Sequence, residues 1–132
     1  MRLPVLSMNS LRRRAGGIKI LETEEHMPRY LIEASYTLEG VKGLVKEGGS
    51  KRREAASAAI QGLGGRVEAF YFAFGHADAL VIAEMPDNVS AAAASVAINS
   101  SGAVTVKTSV LLTPEEMDAA VKKTVNYRGP GR

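Results

Sequence analysis

The sequence predicts an α+β domain with the element order βαββαβ and a short C-terminal helix. Two observations carry the strands and helices, and a third sets their boundaries. Four short runs, at 29–36, 67–74, 79–85 and 104–112, are rich in aromatic, aliphatic and β-branched residues. Between the first two runs, and again between the last two, apolar residues recur at helical spacing or alanine dominates. Glycine, proline, asparagine and aspartate then mark the joins.

Taken in order, regular structure is expected to begin after Met27, with the first strand over Arg29 to Tyr36. Leu38 to Leu63 has helical spacing interrupted by Gly48-Gly49. This predicts a short helical turn, a break, and then the main first helix, capped by Ser50 and carrying Ala55, Ala56, Ala59, Ile60 and Leu63 on one side. Gly64-Gly65 ends it, because glycine enters the left-handed region without a side-chain clash. Val67 to Phe74 and Ala79 to Met85 read as two strands of an antiparallel hairpin, joined through Gly75-His76-Ala77-Asp78. Asp87 or Asn88 caps an alanine-rich helix that runs to about Asn99, and Ser100-Ser101-Gly102 stops it. The fourth strand, Val104 to Leu112, alternates cleanly between Val104, Val106, Thr108, Val110 and Thr105, Lys107, Ser109. Thr113-Pro114-Glu115-Glu116 is a capping box with proline at the first helical position, and it opens the terminal helix.

Residues 1–26 lack sustained periodicity, and they are expected to be a flexible N-terminal extension preceding a domain at 27–132. Met27 is a candidate natural start, since Glu24-Glu25 can be encoded as a ribosome-binding sequence at suitable spacing; the other reading is a genuine mobile extension. Composition narrows the function classes. There is no cysteine, which removes disulfides, thiolate metal sites and a cysteine nucleophile. The 17 Lys/Arg and 14 Asp/Glu are unevenly placed: residues 1–26 hold five and three, and 27–132 hold twelve and eleven. A domain with so small an excess offers no clustered basic footprint for nucleic acid. No apolar run approaches the roughly 18–20 residues that cross a bilayer. A soluble cytoplasmic protein without nucleic-acid or membrane partners is therefore expected.

In the ferredoxin-like arrangement of βαββαβ elements, two helices cover one face of a four-stranded antiparallel sheet and leave the other face bare. Both parities of the second strand are apolar: Phe70, Phe72 and Phe74 alternate with Val67, Ala69, Tyr71 and Ala73. One of these sets has no helix to cover it, and an exposed patch of large apolar side chains marks an interaction surface. The expectation is a homodimer whose sheets meet face to face as a dimeric α/β barrel, with higher assembly left open. The competing expectation is that the terminal helix folds across the bare face.

Five segments together resemble one known family. They are Met27-Pro28-Arg29-Tyr30-Leu31, Glu47-Gly48-Gly49-Ser50-Lys51-Arg52-Arg53, Ala69-Phe70-Tyr71-Phe72-Ala73-Phe74-Gly75, Pro86-Asp87-Asn88-Val89-Ser90 and Leu112-Thr113-Pro114-Glu115-Glu116. Along essentially all of 27–132 the chain is similar to GYD-domain proteins. After the second strand, Gly75 and Asp78 match that family's Gly-x-Tyr-Asp-like signature, whereas Ala77 replaces the tyrosine, so a role for that phenol does not carry over. The resemblance implies a dimeric α/β barrel and no common activity. Related barrels include cofactor-independent monooxygenases, small-molecule isomerases and ligand-binding regulatory domains, and a fold does not choose among them.

The candidate functional residues follow from chemistry and place. His76, the one imidazole in 27–132, sits near Asp78, and either these two or Tyr71 could serve as proton-transfer groups; the bland alternative is a solvated turn. Lys51 and Arg52 stand at a helix N-terminus beside Gly48-Gly49, where an anion is favoured, or else they are exposed cations on a solvated cap. Tyr36, Phe70, Phe72 and Lys107 are candidate ligand contacts, on the premise that Lys107, Glu33, Glu68 and Glu84 share one sheet face with the phenylalanines. Strand charges also commonly form ion pairs across a sheet. No metal-binding spacing is present, and no cofactor is expected. The leading expectation is a homodimer that holds a small organic molecule between its sheets. The alternatives are an enzyme of the cofactor-independent monooxygenase or isomerase type and a purely structural interaction module.

Overall fold

The computed structural model describes residues 27–132, and the expectations for residues 1–26 and for a start at Met27 lie outside the described residues. The elements, in chain order, are β1 (Arg29–Tyr36), α1 (Leu38–Glu47), α2 (Gly49–Gly62), β2 (Arg66–Phe72), β3 (Ala79–Glu84), α3 (Asn88–Ser100), β4 (Val104–Leu111) and α4 (Pro114–Val121). The sheet is four-stranded in the order β2-β3-β1-β4, and every pair is antiparallel. This α+β arrangement is compatible with a ferredoxin-like fold.

The core lies on one face of the sheet. Tyr30, Ile32, Val81 and Ala83 from the strands pack with Ile60 of α2 and with Ala91 and Ala94 of α3. These residues alternate along each central strand, as a half-covered sheet requires. Burial of Tyr30 pushes its phenol pKa up, with the Asp87 charge adding to the effect, and its hydroxyl donates to Asn88 Oδ1 at the start of α3. Tyr30 thereby joins the sheet to the helix start while its ring fills the core.

Three features differ from the sequence reading. The piece before Gly48 is a full ten-residue helix, α1, and not a short turn. Gly40 is a contact point within it: a Cβ there would lie 2.0 Å from the Ala103 carbonyl oxygen, so only glycine lets α1 approach the start of β4. Secondly, α2 begins at Gly49 and has no side-chain cap, so Ser50 does not cap it. Gly48 lies between the two helices at φ 90°, a conformation that L side chains rarely adopt, and it redirects the chain. Thirdly, β2 is not a simple alternating strand. A bulge between Val67 and Ala69 inserts Glu68, so Val67 pairs with Ala83 and Phe70 with Val81, on the core side together. Phe74 lies beyond the strand and is 100% exposed.

Other boundaries follow the local chemistry. Asp87 accepts from the Ser90 amide as the cap of α3, and these hydrogen bonds hold its carboxyl below the ordinary carboxylate range. The Thr113 side chain and Glu116 form a complete capping box, with Pro114 opening α4. No helix of the described residues is long and apolar enough to cross a membrane.

Candidate functional site

The face of the sheet opposite the core carries the side chains left over by the alternation. Its middle rows run Ala69, Ile82, Leu31, Ser109 and Tyr71, Leu80, Glu33, Lys107, as fixed by the strand registers. Leu31, Leu80 and Ile82 are apolar residues of the two central strands, flanked by Tyr71, which is 70% exposed, and by Lys107. All eight residues of α4 are exposed, so the terminal helix does not seal this face. A cleft of about 570 Å³ lies between α4 and one corner of the face, lined among others by Arg29, Glu68, Ile82, Leu111, Glu116 and Ala119.

Charge on this face is organised in two places. At the corner, Arg29 Nε lies 3.0 Å from Glu68 Oε2 and Arg29 Nη2 lies 3.0 Å from Glu84 Oε2. Arg66 Nη2 completes the group at 3.0 Å from Glu84 Oε1 and 3.5 Å from Glu68 Oε2. The hydrogen bond from Arg29 to Glu68, together with the Glu68 charge, raises the guanidinium pKa further. Glu68 and Glu84 are thus spoken for by two arginines. Towards the other end, Glu33 stands opposite Lys107 in the register, and His76 Nε2 is 3.9 Å from Glu33 Oε2. That distance is an ion-pair approach and too long for a hydrogen bond.

The premise that Phe70 and Phe72 share a face with the strand charges is incorrect. Phe70 and Phe72 pair with Val81 and Ala79 on the core side, where their rings meet edge to face at 5.3 Å. Lys107, Glu33, Glu68 and Glu84 occupy the opposite side. The bulge at Glu68 and the core's demand for the larger rings decide this. The His76–Asp78 pairing does not form either, because the Asp78 carboxylate is engaged elsewhere. Its Oδ2 accepts from the Tyr36 amide at 2.8 Å, while its own amide donates to the Ala34 carbonyl at 2.8 Å. Asp78 thereby extends the β1–β3 ladder by one bond ahead of the first residue of β3. Glu33 is the carboxylate beside His76 that the sequence reading missed; it is far from His76 along the chain, and only the sheet register could have revealed it.

The remaining candidates divide between the two sides. Tyr71 lies with Glu33 and Lys107 on the open face. Tyr36 and Phe70 are on the core side and, with Arg52, line a groove between α2 and α3. Lys51 is exposed on α2. Among the described residues, no cluster of His, Cys, Asp or Glu could hold a metal ion.

A four-stranded antiparallel sheet with helices on one face and a mixed aliphatic and charged surface on the other defines the class: a small α+β domain with an open sheet face. The model of the GYD domain matches residues 30–121, and the chain belongs to that family. No curated protein and no solved structure matches the chain.

Proposed function

We propose that this GYD-domain protein is a homodimer formed by pairing its open sheet face with that of a second copy, and that a small organic molecule lies between the two sheets. The observation that carries the reading is the patch of Leu31, Leu80 and Ile82, half-buried side chains on a face that α4 does not seal. Apolar surface left in water costs about 25 cal/mol per Å², and a twofold partner brings an identical surface to cover it. Closure of this kind produces a dimeric α/β barrel. Glu33, Lys107, His76 and Tyr71 then supply the polar contacts of an otherwise apolar enclosure, which suits an amphipathic ligand.

The approach of His76 to Glu33 favours a second reading, a cofactor-independent enzyme of the monooxygenase or isomerase type. In it, the imidazole takes a proton from an activated carbonyl or aromatic substrate, and Glu33 stabilises the imidazolium. Light scattering on the full chain at micromolar concentration tests the dimer: twice the 14.0 kDa chain mass is expected, and Ile82→Lys should yield the single-chain mass. A wild-type monomer would end both readings. Thermal shift against a small-molecule library then separates them. Ligand stabilisation that survives His76→Ala supports binding, and turnover lost in that variant supports catalysis.

A further inference from the structure

The helix side of the sheet carries a second concavity, separate from the open face. It has a volume of about 500 Å³ and runs between α2 and α3, with Ile32, Ala34, Ala79 and Val81 of the two central strands beneath it. Its walls are alanines: Ala55 and Ala59 from α2 face Ala93 and Ala97 from α3, and all four are exposed. Alanine is the best helix former, but on the facing sides of two helices it leaves the space that larger side chains would fill. Both helices are thus anchored to the sheet by Ile60, Ala91 and Ala94 while a gap stays open between them.

Charge at this groove is confined to the Arg52 end, where an adjoining cleft that shares Arg52 is lined by Glu39 and Glu47. Arg52 is the charged residue among its lining residues; no carboxylate lines it, and Tyr36 adds a phenol. Glu47 comes within 3.8 Å of Arg52 Nη1 from the side, a loose approach between partly exposed groups that, among the described residues, leaves most of the guanidinium's donors for another acceptor. An apolar trough with a guanidinium is complementary to an elongated apolar molecule with one anionic head. The guanidinium fork matches a carboxylate in particular.

We infer that the groove between α2 and α3 binds a medium-chain monocarboxylate, with its chain against the alanine walls and its head on Arg52. This site goes beyond the proposal for the open face and does not need it, because every lining residue lies on the helix side of one chain.

Decanoate titrated calorimetrically into the full-length protein tests the inference, with decan-1-ol as the uncharged comparison. Saturable decanoate binding at one per chain is expected. Arg52→Gln should weaken it at least tenfold and leave decanol unchanged, Arg52→Lys should restore part of the loss, and Ala93→Phe should abolish both. Should Ala93→Phe fail to fold, Ala59→Leu fills the same space. No saturable binding, or equal affinity in Arg52→Gln, overturns the inference. So does binding that is lost in Lys107→Ala but kept in Ala93→Phe, which would assign decanoate to the open face. A fall in oligomeric mass in Ala93→Phe without decanoate binding also overturns it, since the groove would then seat a second copy.

Discussion

The two faces of the sheet are made by alternate residues of the same strands, yet they obey different rules. On the helix side, Tyr30, Ile32, Val81 and Ala83 are all below a tenth exposed and pack against Ile60, Ala91 and Ala94. On the other side, Leu31, Leu80 and Ile82 stand beside Glu33, Lys107 and the Arg29–Glu68–Glu84–Arg66 group. The first surface is assembled once the chain folds. The second mixes half-buried aliphatic side chains with charged ones, and the proposed pairing of two copies rests on its aliphatic part. The difference teaches that alternation alone distributes residues to two sides, while the position of the helices determines what each side is for.

The sharpest way to break this comparison is to remove one aliphatic side chain from each face. Ile60→Ala, at a position 3% exposed, should lower unfolding free energy by about 2–5 kcal/mol, read by urea denaturation and independent of protein concentration. Ile82→Ala should cost less in dilute protein and more in concentrated protein, because a face that pairs between copies gains stability by mass action. A loss at Ile82 equal at all concentrations would make the two faces alike.

Smaller effects sharpen the picture at the edges. Asp78→Ala removes the acceptor of the Tyr36 amide and should cost about 1.5–3 kcal/mol. Hydrogen exchange at the Tyr36 amide should rise with it, whereas Asp78→Asn should keep much of the protection. Thr113→Ala breaks the capping box of α4. Helix caps are worth about 1 kcal/mol, and because α4 is exposed throughout the loss should appear as local exchange in α4 with little change in the global midpoint.

On the acid side, the pH response should centre on the start of α3. The Asp87 carboxyl is held below its ordinary value by the Ser90 hydrogen bonds, so its contribution is present above the unfolded carboxylate pKa of about 3.9 and is lost as pH falls through the lower folded value. Circular dichroism followed from pH 7 downward should show α3 loosening only in that window, and Asp87→Asn should remove that part of the transition.

Much of the fold was legible because its signals are local. The hairpin between β2 and β3 followed from two apolar runs joined through Gly75 and Asp78, and the start of α4 from Thr113, Pro114 and Glu116, each a contact within a few residues. The length of α1 was not legible, since the contact that seats it, Gly40 against Ala103, joins residues far apart along the chain. The bulge was hidden for a related reason: Arg66-Val67-Glu68-Ala69 alternates plausibly on paper, and only the partner strand shows that one residue is surplus. For the candidate site, the sequence supplied His76, Tyr71, Lys107 and Glu33 but not the approach of His76 to Glu33. Glu33 approaches His76, and Arg52 comes to line one groove with Tyr36 and Phe70, through the register of the sheet and the seating of α2.

The surplus residue in β2 has an effect on electrical balance. Removing Glu68 would leave a regular ladder, with Val67 still opposite Ala83 and Ala69 still opposite Ile82. The strand would lose only a carboxylate. Two guanidiniums, Arg29 and Arg66, would then compete for Glu84 alone, and a neutral quartet at that corner would become a cationic trio. Any second molecule pressed against the corner would meet a net positive charge stripped of its counterion. A one-residue insertion in an edge strand thus acts as a charge neutraliser, at no expense to the packing on the far side.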